Sequence, residues 1–471
     1  MTATLDAPLR VAPAAHPRRW LGLFAILGAD LLNLLDSTVG TIAAPAIQAD
    51  LGGSTATLQW IAAGYTLAMA VGLLVGGRLG DMYGRKRMMI VGVVGFLAAS
   101  LLCAVAFSPE TLLVARVLQG GFGAVMVPQS FGLIRELFGA EVGKAFALLG
   151  PVIGLATVLG PVIAGLLVDA DLFGTGWRMV FAINLPLGAF ALVVGARVLP
   201  DSAPAARGQR LDVRGALLAA AGMFLLVYPL TQGHELGWPV WSFGMLAASV
   251  LVLAVFAATQ RGDGPVLVRL SVFAKRSYSS GVAFVVSFFG VITGFSLAVG
   301  LFLQLGLGYS PLKASLTMAP WAVGAFVGSA VGASVLAGLG RRVLHLGLGL
   351  MTAGLTWLYF ALSVDGPPIA PLAVFGAGMG MIFVPLFDII VGDLADDEVG
   401  SASGILTSVQ QLGASLGIAV LGTVFFSNVD VPAAPAFVDA AKVVTLVAIG
   451  LTVVTFGLGF LLPRKAKAAA H

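Results

Sequence analysis

Apolar runs of about 20 residues or more, separated by short polar breaks, follow one another along almost the whole chain. They lie at 21–44, 57–79, 87–107, 111–133, 145–168, 178–198, 212–231, 240–259, 278–303, 312–337, 344–363, 368–392, 403–426 and 438–462. A helix needs about 20 mostly apolar residues to cross hydrocarbon, so the pattern predicts an all-α polytopic membrane protein with fourteen spans. The seventh and eighth runs are the most interrupted, by Pro229 and by the His234 to Pro239 stretch. Polar stretches such as Asp201 to Arg214 are too short to form a domain. The first run is too long for a cleaved signal segment and carries Asp30 and Asp36, so it reads as a retained span.

The basic residues orient these spans. With the N-terminus placed in the cytoplasm, 22 of the 26 lysines and arginines fall in the tails and loops of that side. Arg178, Lys313 and Lys442 fall on the other side, and Arg116 lies within a span. Such asymmetry is the positive-inside pattern. It explains the pI of 9.3 as basic loops facing anionic lipid rather than as a nucleic-acid surface. Both termini are expected in the cytoplasm, with tails at 1–20 and 463–471.

The two halves of the chain match at an offset of about 257 residues. Gly121, Gly123 and Pro128 recur as Gly378, Gly380 and Pro385. Glu141-Val142-Gly143 recurs as Glu398-Val399-Gly400, and Gly84-Arg85-Lys86 as Gly340-Arg341-Arg342. Six spans at 21–198 therefore correspond to six at 277–462, in the same orientation, with two extra helices in a linker at 199–276. Parallel repeats predict two six-helix bundles around a central cavity, with binding near the midplane and rocking between bundles.

The repeat also separates packing from chemistry. Glycines present in both halves suit close helix approach, whereas Asp36, Asp81, Arg116 and Pro161 align with Thr293, Ala337, Ala373 and Ile418. Asp36 and Arg116 each sit inside an apolar run, where a charge costs several kcal/mol unless it meets a partner or water. Both lie roughly 8–12 Å below the same surface, counted at 1.5 Å per residue. Asp30, Asn33 and Asp36 share one helix face, so one face of the first span can present two acids and an amide to the interior. A carboxylate whose access to water and cation changes together can switch protonation, as a proton-coupled carrier requires. The plainer reading is an ion pair that locks two helices.

The short loop after the second span, Gly77 to Arg87, combines turn glycines with Asp81, Gly84, Arg85 and Lys86. It reads as a tight turn with positive-inside anchors in which Asp81 can form a breakable latch. The fifth span carries Gly150-Pro151 and Gly160-Pro161, which suggest a bend at a bundle interface.

Composition closes off other classes. Charged residues make up 10% of the chain and hydrophobic residues 59%, against roughly 25% charged in soluble domains. Cys103 is the only cysteine and the four histidines are scattered, which excludes an internal disulfide and argues against a metal site. A GxxxxGK-S/T phosphate loop is absent, and so is any nucleophile and base constellation. Neither enzyme activity nor a cofactor is expected; the energy source would be a proton gradient.

At this point the chain resembles the major facilitator superfamily, in its fourteen-span drug:proton antiporter branch. Asp81, Gly84, Arg85 and Lys86 resemble the superfamily's loop signature, with Met82 at a usually basic position. Leu113-x-x-Arg116-x-x-Gln119-Gly120 is similar to the signature of the fourth span, whose arginine is assigned to proton transfer. Gly160-Pro161-x-x-Ala164-Gly165 is similar to the antiporter signature, with alanine for one glycine. Leu35-Asp36-Ser37-Thr38 through Ala43 and Pro45, and Trp177-Arg178-x-x-Phe181-x-Ile183-Asn184-x-Pro186-x-Gly188, resemble first- and sixth-span signatures of the branch.

The resemblance implies export of hydrophobic or cationic compounds in exchange for protons, by a monomer in the bacterial cytoplasmic membrane. Proton coupling would fall to Asp36, Arg116 and Asp30. Conformational switching would fall to Gly77, Asp81, Gly84, Arg85, Lys86, Gly160 and Pro161. The C-half has few membrane acids, Asp388 among them, which favours neutral or singly charged aromatic substrates. The expected cavity wall includes Asn33, Gln119, Phe284, Phe288, Gln304, Trp321 and Gln410, with Phe326 and Trp357. A nutrient uptake carrier and a lipid or glycolipid flippase are the alternatives.

Overall fold

A computed structural model describes residues 17–464 except 202–203, 205–209, 262–265, 335–338, 365–368, 393–395, 430 and 432. Both expected tails (with Arg10, Lys465 and Lys467), together with Arg207 and Ala337, therefore lie wholly or mostly outside the described residues. Those described form helices and loops without strands.

The helices of the first half are α1 (Arg19–Ile42), α2 (Ala44–Leu51), α3 (Thr55–Tyr83), α4 (Arg85–Ala104), α5 (Pro109–Phe138), α6 (Val142–Ala170), α7 (Met179–Ala182) and α8 (Asn184–Val198). The linker holds α9 (Val213–Gln232) and α10 (Val240–Thr259). The second half holds α11 (Arg276–Leu301), α12 (Pro311–Ser334), α13 (Arg342–Ala361), α14 (Ile369–Val391), α15 (Asp396–Phe426) and α16 (Ala434–Gly459). Thirteen helices among the described residues are long and apolar enough to cross a membrane. The run expected at 145–168 lies in α6, which contributes Leu159–Ala170 as a shorter apolar helix; the side chains of Gly150, Pro151 and Gly154 lie outside the described residues.

Polar contacts sort the helix ends onto two faces. Arg19–Glu141 (2.9 Å), Arg85–Glu136 (3.0 Å) and Lys86–Asp201 (2.9 Å) gather helix ends on the face where α1 begins. Arg341 joins the start of α13 to the end of α16 through the carbonyl of Leu462, 2.7 Å away. The opposite face, where α3 begins, holds Arg178–Asp50 (2.6 Å). There Glu235 accepts from the Thr55 hydroxyl and the Ala56 N–H, both at 2.6 Å, and so satisfies a free donor at the start of α3. Arg178 and the Trp177 indole hold the exposed Asp50 carboxyl below its usual range. A depressed carboxyl pKa contributes stability above its unfolded value and loses it as pH falls. Wild type is therefore expected to lose more stability than Asp50→Asn on acidification below about pH 4, read as melting temperature against pH.

Small residues set the core contacts. In the first half α3 packs on α5, and in the second α12 packs on α14. A Cβ at Gly76 would overlap the carbonyl oxygen of Ala124, and one at Gly332 would lie 2.8 Å from that of Met381. These pairs stand 256 and 257 residues apart, so the two halves share this helix crossing, although Gly121, one of the glycines that mark the repeat, has open space where a Cβ would stand. Between the halves, α3 packs on α15 and α6 on α12. The Ser408 hydroxyl donates to the Ala70 carbonyl, and that of Ser415 to Ala63 at 3.3 Å. A Cβ at Gly165 would lie 2.6 Å from the Pro311 carbonyl. These contacts run from the Thr55 face to Ala70, midway along α3.

The linker hairpin rests across this seam. Helix α9 packs on α3, α15 and α10, and Thr423 of α15 donates to the Leu230 carbonyl at 2.7 Å. Tyr228 stacks between Trp60 of α3 (5.9 Å) and Trp241 of α10 (6.0 Å). Pro229 lies inside α9 near its end without breaking it, and costs the helix one backbone bond.

Candidate functional site

The first-half bundle encloses a polar network built from four of its helices. Helix α5 carries Arg116 and Gln119 one turn apart, α1 supplies Asp36, α4 supplies Ser100, and α8 supplies Asn184. Asp36, Arg116, Gln119 and Ser100 are completely buried, and Asn184 nearly so. Arg116 Nη1 donates to Asp36 Oδ2 and, at 2.8 Å, to Gln119 Oε1. Asp36 Oδ1 accepts from Gln119 Nε2 at 2.8 Å and Asn184 Nδ2 at 3.1 Å. Ser100 Oγ accepts from the same two amides at 2.8 and 3.3 Å. Three donors thus converge on Asp36, the complement of an ionised carboxylate.

Arg116 is held on every side. Its Nε donates to the Ile61 carbonyl of α3 at 3.1 Å, and its guanidinium lies 4.3 Å from the Tyr65 ring centre and 5.6 Å from that of Phe181. Cation–π contact of this kind is worth about 2 kcal/mol when desolvated. Nη2 is buried without a hydrogen-bond partner among the described residues, so its two N–H groups are unused, at a desolvation cost of about 1–3 kcal/mol.

The other residues of the α1 face have separate partners. Asn33 Oδ1 accepts from the Tyr65 hydroxyl, and Asp30 Oδ1 from Ser130 Oγ at 2.7 Å. Asp30 is therefore not part of the Arg116 network; six residues from Asp36 along α1, it faces a different stretch of α5.

At the turn between α3 and α4, Gly84 adopts φ +94°, which favours glycine. Arg85 bridges Asp81 at 3.6 Å and Glu136 at 3.0 Å, and Lys86 reaches Asp201. The latch expected from Asp81 thus has a second acid, Glu136 of α5. Gly77 has open space where a Cβ would stand, so no helix presses on it. Gly160 is buried and Pro161 half-buried within α6; Gly165 makes the close approach to α12.

Residues expected along one cavity fall in separate places. Asn33 and Gln119 belong to the first bundle. Phe284 and Phe288 are buried within the second, with ring contacts that extend to Phe289 and Phe383. Trp321 meets Phe375 edge to face, ring centres 4.8 Å apart, and donates to Met379 Sδ at 3.4 Å. Gln304 lies in a π turn, Phe302–Gly306, with its Nε2 buried and unpartnered. Gln410 is half-buried on α15, while Phe326, Trp357 and Asp388 are exposed.

The sequence reading missed Tyr65, Ser100 and Asn184 around Arg116, and Glu136 as a partner of Arg85. Asn184 carried a signal, being an amide within an apolar run and within the sixth-span pattern. The same pattern's Trp177 and Arg178 clamp Asp50. Ser100 carried none, because a serine can satisfy itself on its own helix.

The fold and this network define a multi-pass helical membrane protein with an ion pair sealed inside one of two repeated bundles. The sequence profile of the Major Facilitator Superfamily matches residues 26–418, and the chain belongs to that family. It is 48% identical over 442 residues to the probable actinorhodin transporter of Streptomyces coelicolor, covering 91% of this chain and 76% of the relative. It is 36% identical over 443 residues to the tetracenomycin C resistance and export protein of Streptomyces glaucescens (91% and 80%). It is 37% identical over 421 residues to a puromycin resistance protein of Streptomyces alboniger (87% and 82%). Among solved structures, the peptide transporter POT superposes with TM-score 0.65 at 16% identity (94% and 96% covered). The human organic anion transporter TETRAN gives 0.64 at 17% (94% and 99%). At these identities the structures share the fold alone.

Proposed function

We propose that this chain is a proton-coupled antiporter that exports hydrophobic, neutral or singly cationic drugs or natural products by alternating access. In this reading α6 supplies a fourteenth span, and a monomer sits in a bacterial cytoplasmic membrane with both termini inside. The observation that carries the reading is the Asp36–Arg116 pair, completely buried in one bundle and without a charged counterpart at Thr293 and Ala373 in the other. A purely structural lock gains little from burial, since apolar residues of similar volume serve as well or better. The antibiotic names carried by the relatives support the substrate class.

In the proposed cycle, protonation of Asp36 removes the charge that holds Arg116 Nη1, and the unused Nη2 donor gives the arginine a second direction in which to bind. Rocking of 21–198 against 277–462 then exposes the site alternately to each side. The inter-bundle contacts on the Thr55 face support a conformer closed toward the exterior. Asp81, Glu136 and Arg85 would form and break with the opposite face.

Efflux of ethidium from pump-deficient cells under an imposed pH gradient tests this reading. Wild type is expected to export the dye only with the gradient, and Asp36→Asn and Arg116→Ala to lose export at unchanged expression. Gradient-driven efflux by Asp36→Asn would remove the coupling role from this residue. A well-expressed wild type that exports no antibiotic or dye would favour the flippase.

A further inference from the structure

One cluster of charge has no part in the proposed cycle. On the face where α1 begins, a cavity of about 610 Å³ opens between the starts of α11 and α13 and the end of α16. Lys275, Arg276, Arg341 and Arg464 line it together with Phe460 and Leu461, and no acidic side chain stands among its described lining residues. Positive charges gathered this way repel one another, and the start of the 26-residue α11 adds the positive end of a helix dipole.

The equivalent place in the first half is built differently. There Arg85 is neutralised by Asp81 and Glu136. In the second half the residue aligned with Asp81 is Ala337. Arg341 instead donates Nη1 to the carbonyls of Phe460 (2.8 Å) and Leu462 (2.7 Å), and its backbone N–H bonds the Arg464 carbonyl at 3.1 Å. These bonds, all to carbonyls, hold Arg341 in the wall of the cavity. Phe460 and Leu461 are 57% and 51% exposed, beside the cations and at the end of a membrane span.

We propose that this cavity binds the phosphate headgroup of an anionic phospholipid, with its acyl chains lying along Phe460 and Leu461. Basic pockets between transmembrane helices at the membrane surface recognise such headgroups, and the exposed apolar pair favours a lipid over free phosphate.

Native mass spectrometry of the purified full-length chain, titrated with tetraoleoyl cardiolipin or dioleoylphosphatidylcholine, tests the site. Cardiolipin is expected to bind in preference to phosphatidylcholine. Arg276→Gln with Arg464→Gln should weaken it by about fivefold per removed cation, or roughly 25-fold together. The control pair Arg87→Gln with Arg135→Gln, exposed on the same face of the first bundle, should leave it within about twofold, because the site lies elsewhere. Melting temperatures near wild type would show that both pairs fold. Equal weakening by the two pairs, or equal binding of the two lipids, would overturn the site. Inorganic phosphate that displaces cardiolipin at matched phosphate concentration would overturn the lipid assignment.

Discussion

Arg116→Ala is expected to cost about 3–5 kcal/mol of stability, the range for removing one partner of a buried ion pair. The loss leaves Asp36 as a charge with no exposure, facing the neutral amides of Gln119 and Asn184 among the described residues. Asp36→Asn should cost less, because Arg116 keeps the Ile61 carbonyl, Gln119 and the Tyr65 and Phe181 rings. Combining Asp36→Asn with Arg116→Ala should restore part of the loss, since no unpaired charge is then buried. Denaturant unfolding in detergent, read as a double-mutant cycle, would show a coupling of about 2–3 kcal/mol. Losses that simply add would mean that the two side chains act independently. Transport should be absent in all three variants, which separates coupling from folding.

Gly417→Val is expected to have a large effect in the second half. A Cβ at Gly417 would overlap the Gly290 carbonyl oxygen, and one at Gly413 would lie 2.6 Å from that of Val286, so α15 crosses α11 backbone to backbone. Backbone cannot swing aside as a side chain can, and the added volume should cost about 3 kcal/mol or more. Gly450→Ala is the control, since a Cβ there meets nothing within 4 Å; it should be neutral or stabilise α16 by up to about 1 kcal/mol. The yield of monodisperse protein on size-exclusion chromatography reads both. Equal yields would contradict the close crossing.

The parts of this architecture that were legible in the sequence depend on position along one helix. Apolar run length located the crossing helices to within a few residues. Of the glycines that mark the repeat, Gly378 and Gly380 meet backbone carbonyls while Gly121 has open space, and the crossing shared by both halves lies at Gly76 and Gly332, a pair the repeat reading did not include. Depth counting placed Asp36 level with Arg116 because both helices start at a membrane surface. Contacts that depend on helix rotation or on a third helix were not legible. Spacing could not bring Asn184 and Tyr65 to the network, nor assign Asp30 to Ser130 rather than to Arg116. Phe284 and Phe288 have the same hydropathy whether they face a cavity or a bundle core, and the packing of α11 on α14 and α15 placed them in the core. The break in the sixth span at Ile183 and the π turn at 302–306 are local backbone choices that hydropathy does not encode.

The most direct measurement of the central claim is proton movement in proteoliposomes that hold the purified carrier and an internal pH dye, when ethidium is added without an imposed gradient. With wild type, downhill dye movement should drive protons the opposite way and change internal pH. Asp36→Asn should give no pH change. Dye movement by wild type without any pH change, or an undiminished pH change in Asp36→Asn, would contradict coupling through this pair.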